Sequence, residues 1–231
     1  MLMGPQNLPE NIRRVRERIE RAAAACARSV DSVTLLAVTK SQPVETVREA
    51  ARAGLAEFGE SYVQEALGKI EALRDLPLIW HFVGSIQTNK TRDIAENFAW
   101  AHSIDRLRIA ARLSAQRPFH APPLNICLQV NVGAEASKGG VPPSALPALA
   151  AAVGALPRLV LRGLMCIPPA EADLGMQRRR FDEVAALLAS LNAVGAHMDT
   201  LSMGMSADLE AAIFAGATIV RIGTALFGAR T

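Results

Sequence analysis

Short apolar runs alternate with amphipathic stretches along almost the whole chain. Residues 7–29 open it as an Ala- and Arg-rich stretch that predicts one long helix. TLLAVT (34–39) is the first apolar run, and a helix follows from Pro43, a residue suited to a first helical turn. Val44, Val47, Ala51 and Leu55 recur on it at helical spacing. LAEFG (55–59) leads to a helix over 61–74, LIWHFVG (78–84) to one over about 88–97, and AWAHSI (99–104) to one over 105–116. LNICLQVNV (124–132) leads to a helix over 143–155. LVLRGLMCI (159–167) leads to one over 175–194, with Phe181, Val184, Leu188 and Leu191 on one face and Gly195 as its C-terminal stop. HMDTLSM (197–203) leads to a helix over 206–215, and ATIVRIG (217–223) is the last run. Strands that are apolar throughout suit a parallel sheet covered by helices. Eight such strands alternating with helices predict a TIM-like (β/α)8 barrel, with a doubly wound open sheet as the alternative. No Pro-, Gly- or Ser-rich spacer divides the pattern, so residues 1–231 read as one domain, with the first helix beside the chain ends.

Composition changes this picture little. Half the residues are apolar and the formal net charge is +3. That mild excess does not point to nucleic acid. The Arg13–Arg21 and Arg178–Arg180 clusters read as solvated helix faces. No run of about 20 apolar residues suggests a membrane span, and the N-terminus does not read as a secretory signal. Cys26, Cys127 and Cys166 are odd in number and far apart, and read as reduced packing residues of a cytoplasmic protein. His81, His102, His120 and His197 show no metal-type spacing.

Barrel chemistry belongs at the C-terminal ends of the strands, with phosphate often bound by the loops after strands seven and eight. The seventh loop reads Ser202-Met203-Gly204-Met205-Ser206, with Ser206 at an N-cap position. The eighth reads Arg221-Ile222-Gly223-Thr224, where Gly admits a ligand to the backbone and Thr adds a donor. Lys40 ends the first strand, where apolar neighbours lower an amine's pKa and favour a Schiff base. Of the other three lysines, Lys69 is mid-helix and reads as surface, while Lys90 and Lys138 fall on the functional rim. Arg221 faces a phosphate or a ring nitrogen, and beside a ring nitrogen it keeps that atom unprotonated, because guanidinium only donates.

These residues identify a resemblance. LLAVTK (35–40), EFGESYVQEA (57–66), WHFVGSIQTNK (80–90), the ASKGG loop (136–140), LRGLMCIPP (161–169) and the block at 201–230 resemble the pyridoxal phosphate homeostasis proteins, over essentially the whole chain. The final strand is also similar to the end of the alanine racemase barrel. The resemblance implies a fold-type III barrel carrying pyridoxal 5′-phosphate as a Schiff base on Lys40. It implies phosphate contacts from Ser206, Gly223 and Thr224, Arg221 near the pyridine ring, and Met203 and Ser61 beside the cofactor. Lys138 matches a lysine tied to cofactor release or a second site. Ser61 stands where the family usually has Asn, and Ser85 where Pro is common.

The family's implied role is intracellular cofactor homeostasis without established catalysis, with pyridoxal-dependent apoenzymes as candidate recipients. Racemisation needs a second base. The single tyrosine, Tyr62, lies early in the chain, and the sequence ends at Thr231, just after the expected barrel. A carrier is therefore expected, as a monomer, with a weak amino-acid racemase or lyase as the alternative and a cofactor-free Schiff-base aldolase behind it.

Overall fold

The computed structural model describes residues 7–133, 139–169 and 173–228. Lys138 and most of the ASKGG loop lie outside the described residues. Eight parallel strands close into a barrel in chain order: β1 Thr34–Val38, β2 Glu57–Glu60, β3 Ile79–Phe82, β4 Trp100–Ile104, β5 Leu124–Val130, β6 Leu159–Cys166, β7 Thr200–Ser202 and β8 Ile219–Ile222. β8 returns to β1 with Arg221 opposite Leu36, which closes the sheet and excludes the open doubly wound alternative.

The first helix, α1 (Leu8–Ala25), buries Leu8, Ile12, Val15 and Ile19 at three- and four-residue spacing. The intervening helices are α2 Val44–Arg52, α3 Val63–Ala72, α4 Thr91–Asn97, α5 Leu107–Gln116, α6 Leu146–Gly154, α7 Leu174–Ala193, α8 Leu209–Phe214 and a last turn, α9 Thr224–Phe227. α1 packs across α8 and α9 at the chain ends, as the sequence predicts. The Asn11 amide donates to the Leu226 carbonyl at 2.9 Å. Gly195, with φ +95°, follows the C-terminus of α7, where a left-handed residue ends a helix.

Boundaries differ where loops override periodicity. β7 keeps only three residues because Gly204 turns the chain at φ +91°, and an added Cβ there would lie 2.5 Å from the Ala212 Cβ. α8 begins at Leu209 rather than 206, so Ser206 is not its cap. The short α9 after β8 has no counterpart in the sequence pattern.

Candidate functional site

Lys40 lies two residues past β1, on the rim where the strands end. Two cavities meet at it. The wider, about 580 Å³, is lined by Lys40, Ser61, Tyr62, Gln64, Gln87 and Lys90 among others. The narrower, about 50 Å³, is lined by Val38, Lys40, Gln42, Gly223, Thr224 and Phe227, with Gly228. An added Cβ on Gly223 would come within 3.4 Å of the Val38 carbonyl oxygen, so any side chain there narrows this cradle. Ser206 Oγ accepts from the Ala225 N–H at 3.1 Å. The loops after β7 and β8 are thereby tied together beside the cradle. Ser206 does this from the loop, not as the helix cap the sequence suggests.

Behind Lys40 the backbone is held by a cluster between β2 and α3. Lys69, read as a surface residue, is buried. Its ammonium donates to the Thr39 carbonyl at 2.7 Å and to Glu60 Oε1 at 2.8 Å, and it pairs with Glu65. Thr39 Oγ1 donates to Glu60 Oε1 at 2.7 Å. The Ser41 N–H donates to Glu65 Oε1 at 2.6 Å, while Ser41 itself has φ +63°, an uncommon conformation for a residue with a Cβ. Both neighbours of Lys40 are therefore fixed by one ionic cluster. Burial raises the Glu60 pKa against the opposing effects of Lys69 and Thr39.

Arg221 is buried, 5% exposed, and among the described residues its hydrogen bonds go to neutral oxygens. Nη1 donates to the Ser202 carbonyl and to Ser202 Oγ (2.9 Å), and Nη2 to the Cys166 carbonyl at 2.8 Å. Burial opposes its charge and lowers its pKa from the ordinary value. Burial also pushes the Cys127 and Cys166 thiols up to about 12, so neither is a thiolate nucleophile at neutral pH. Met203 is fully buried in the core and lines neither cavity. Ser61 lines the wide cavity. Its carbonyl oxygen would lie 2.3 Å from a Cβ on Gly84, so the second residue after β3 must be glycine.

Residues 6–231 match the family described as alanine racemase, N-terminal domain. The chain is 61% identical over 223 residues to the pyridoxal phosphate homeostasis protein of Pseudomonas aeruginosa, covering 96% of both chains. It is 50% identical over 227 residues to that of Escherichia coli K12, covering 97% of both. This chain belongs to the pyridoxal phosphate homeostasis protein family. Among solved structures, PipY of Synechococcus elongatus PCC7942 with PLP bound superposes with a TM-score of 0.80 at 37% identity, over 91% of this chain and all of that one. An alanine racemase of Clostridium difficile 630 shares the fold, with a TM-score of 0.75 at 14% identity, over 97% of this chain and 57% of its own.

Three features of this homeostasis-protein barrel escape sequence reasoning. One is the Lys69–Glu60 cluster. Another is Arg18 on α1, which pairs with Glu210 at 2.7 Å and donates to the Ser206 carbonyl at 3.0 Å instead of standing on a solvated face. The third is a chain of buried polar groups leading to Arg221 through His81 and His102. Tyr62, set aside as remote, lines the same cavity as Lys40. Among the described residues, no group of three or more His, Cys, Asp or Glu is arranged to hold a metal ion, and no helix is long and apolar enough to cross a membrane.

Proposed function

We propose that this protein binds pyridoxal 5′-phosphate through Lys40 and holds it for release within the cell. The observation that carries the reading is that Lys40 lines both cavities, the cradle formed by Gly223 and Thr224 and the wider vestibule. The cradle suits a phosphate and the vestibule a ring and its entry path. Pyridoxal phosphate supplies an aldehyde that condenses reversibly with a primary amine and then absorbs visible light. The protein's part is placement. Thr224 and Ser206 bring hydroxyls to the phosphate side. Gly223 lets the backbone approach. Arg221 presents a donor to the pyridine nitrogen, which keeps that atom unprotonated and damps carbanion chemistry. Ser61 borders the ring's side, Met203 packs behind the β7 loop, and Lys138 takes part in release. The relatives' name, a homeostasis protein's rather than an enzyme's, supports holding over turnover. The three free cysteines suit the cytoplasm. The reading takes the barrel as a single domain that acts as a monomer and passes its cofactor to pyridoxal-dependent apoenzymes.

A second reading, a weak amino-acid racemase or lyase, is favoured by one observation, that Tyr62 shares the vestibule with Lys40 and would be the second base. Visible absorbance of the purified chain, followed by borohydride reduction and peptide mapping, tests the first reading. A yellow protein with its reduced adduct on Lys40 is expected. No band after excess pyridoxal phosphate, or an adduct elsewhere, overturns it. Solvent deuterium incorporation at an amino acid's α-carbon that is lost in Tyr62→Phe establishes the second.

A further inference from the structure

His102 on β4 and Ser202 on β7 come from strands that are not neighbours, so a hydrogen bond between them crosses the barrel interior. That bond, His102 Nδ1 to Ser202 Oγ at 2.8 Å, is one link of a continuous chain. His102 Nε2 lies 2.9 Å from His81 Nδ1, and His81 Nε2 is hydrogen-bonded to Glu57 Oε2. At the other end Ser202 Oγ meets Arg221 Nη1 at 2.9 Å. His81, His102, Ser202 and Arg221 are all buried, and only the Glu57 side chain, 28% exposed, reaches solvent.

With both imidazoles neutral, the chemistry of the two ends fixes every proton between them. Guanidinium only donates and an ionised carboxylate only accepts. Arg221 therefore donates to Ser202 Oγ, and the Ser202 hydroxyl donates to His102 Nδ1. His102 must carry its proton on Nε2 and give it to His81 Nδ1. His81 in turn carries its proton on Nε2 and gives it to Glu57. A neutral chain in this one arrangement satisfies every donor. An added proton on His81 would reverse the two links beyond it and leave the Ser202 hydrogen without an acceptor in the chain.

We infer that Glu57, His81, His102 and Ser202 are positioning residues that hold Arg221 as a fully charged, fixed donor toward the bound ligand. The role toward pyridoxal phosphate rests on the reading proposed above; the proton arrangement does not. A carboxylate placed directly on Arg221 would neutralise it. Among the described residues Arg221 hydrogen-bonds only to uncharged oxygens, the Asp208 carboxylate acts on it through space, and Glu57 stands four hydrogen bonds away. Two of its five N–H donors make no hydrogen bond among the described residues. The surroundings favour the neutral state. Burial lowers both imidazole pKa values, His102 further because His81 and Arg221 add to the effect. Glu57 from β2 acts the other way on His81. Cys127 from β5 and Cys166 from β6 stay protonated. The Trp100 ring stacks on His81 at 5.4 Å, with the Arg162 guanidinium, paired to Asp199, 5.0 Å beyond it.

Long-range proton–nitrogen NMR of the whole chain, labelled at histidine, tests the arrangement without any cofactor. Two rings are expected in the Nε2–H form and unresponsive between about pH 5.5 and 8.5. An Nδ1–H tautomer or a charged ring at His81 or His102 at neutral pH overturns the inference. The positioning role is tested with Ser202→Ala, Glu57→Ala and Glu57→Gln, by adding pyridoxal phosphate and following its visible band against pH. Ser202→Ala and Glu57→Ala are expected to weaken binding about tenfold and to shift the pH at which the band changes. Glu57→Gln, which keeps an accepting oxygen, is expected to stay near wild type. Binding and pH profile unchanged in both alanine variants overturn the positioning role. A wild-type chain that shows no band defeats the cofactor reading instead, and the NMR result on the proton arrangement stands apart from it.

Discussion

Lys69 is a buried ammonium whose three oxygen partners come from the residue after β1, from β2 and from its own helix. Removing one member of such a cluster leaves an uncompensated buried charge, which costs about 3–5 kcal/mol. Lys69→Met is therefore expected to lower the unfolding free energy by that amount in urea titrations. Glu60→Leu added to Lys69→Met should recover most of the loss, because replacing both partners by apolar groups removes the desolvation cost along with the attraction. Recovery of stability without recovery of cofactor affinity would separate the cluster's two roles, since Thr39 beside Lys40 loses the Lys69 ammonium in both variants. The sequence shows why Lys69 was misplaced. Glu65 and Lys69 stand four apart on one helix, the spacing of an ordinary exposed pair. Only the packing of α3 on β2 brings Glu60 to the same ammonium, and that contact has no signature in local spacing.

At the level of elements, strand order and helix alternation were legible because most strands lie in apolar runs with helical periodicity on both sides. The loops after β7 and β8 stood out as candidate phosphate loops because barrel chemistry concentrates there, yet the means by which they meet were not legible. Ser206 reaches α9, and α1 reaches back over the loop through Arg18, a contact between residues 188 positions apart. Arg18→Ala is expected to cost roughly 1 kcal/mol of stability, since its partner Glu210 is partly solvated, and to weaken cofactor binding more than Arg14→Ala does. Equal effects of the two substitutions on binding would remove Arg18 from the site's support. Between β6 and β7 the limit is steric. A Cβ on Gly163 would lie 1.8 Å from the Thr200 carbonyl oxygen, so the strands cannot keep their register around any side chain. Gly163→Ala is expected to cost about 3 kcal/mol or more, or to prevent folding, read as lost soluble yield or a lowered denaturation midpoint.

The whole molecule couples its interior charges to its stability, and the sign of that coupling can be worked out. His81 and His102 have folded-state pKa values lowered by burial from the ordinary 6.5. The unfolded chain therefore binds protons first as pH falls. Stability from this pair is complete above pH 6.5 and is lost below it, by at most about 1.4 kcal/mol per pH unit for each ring. Glu60 and Asp208, both raised by burial, act with the opposite sign. Their contribution returns as pH falls through their folded values and is complete only below the ordinary 4.5 and 3.8. The unfolding free energy is thus expected to fall from about pH 7 to 5.5. A bound ligand raises the whole curve, by about 2.7 kcal/mol at a hundredfold excess over its dissociation constant. That gain should disappear in Lys40→Ala. Denaturation profiles at several pH values, with and without pyridoxal phosphate, read both effects. A flat profile between pH 7 and 5.5 would mean that the two rings are not neutral and buried, and the fixed proton arrangement that holds Arg221 would fall with it.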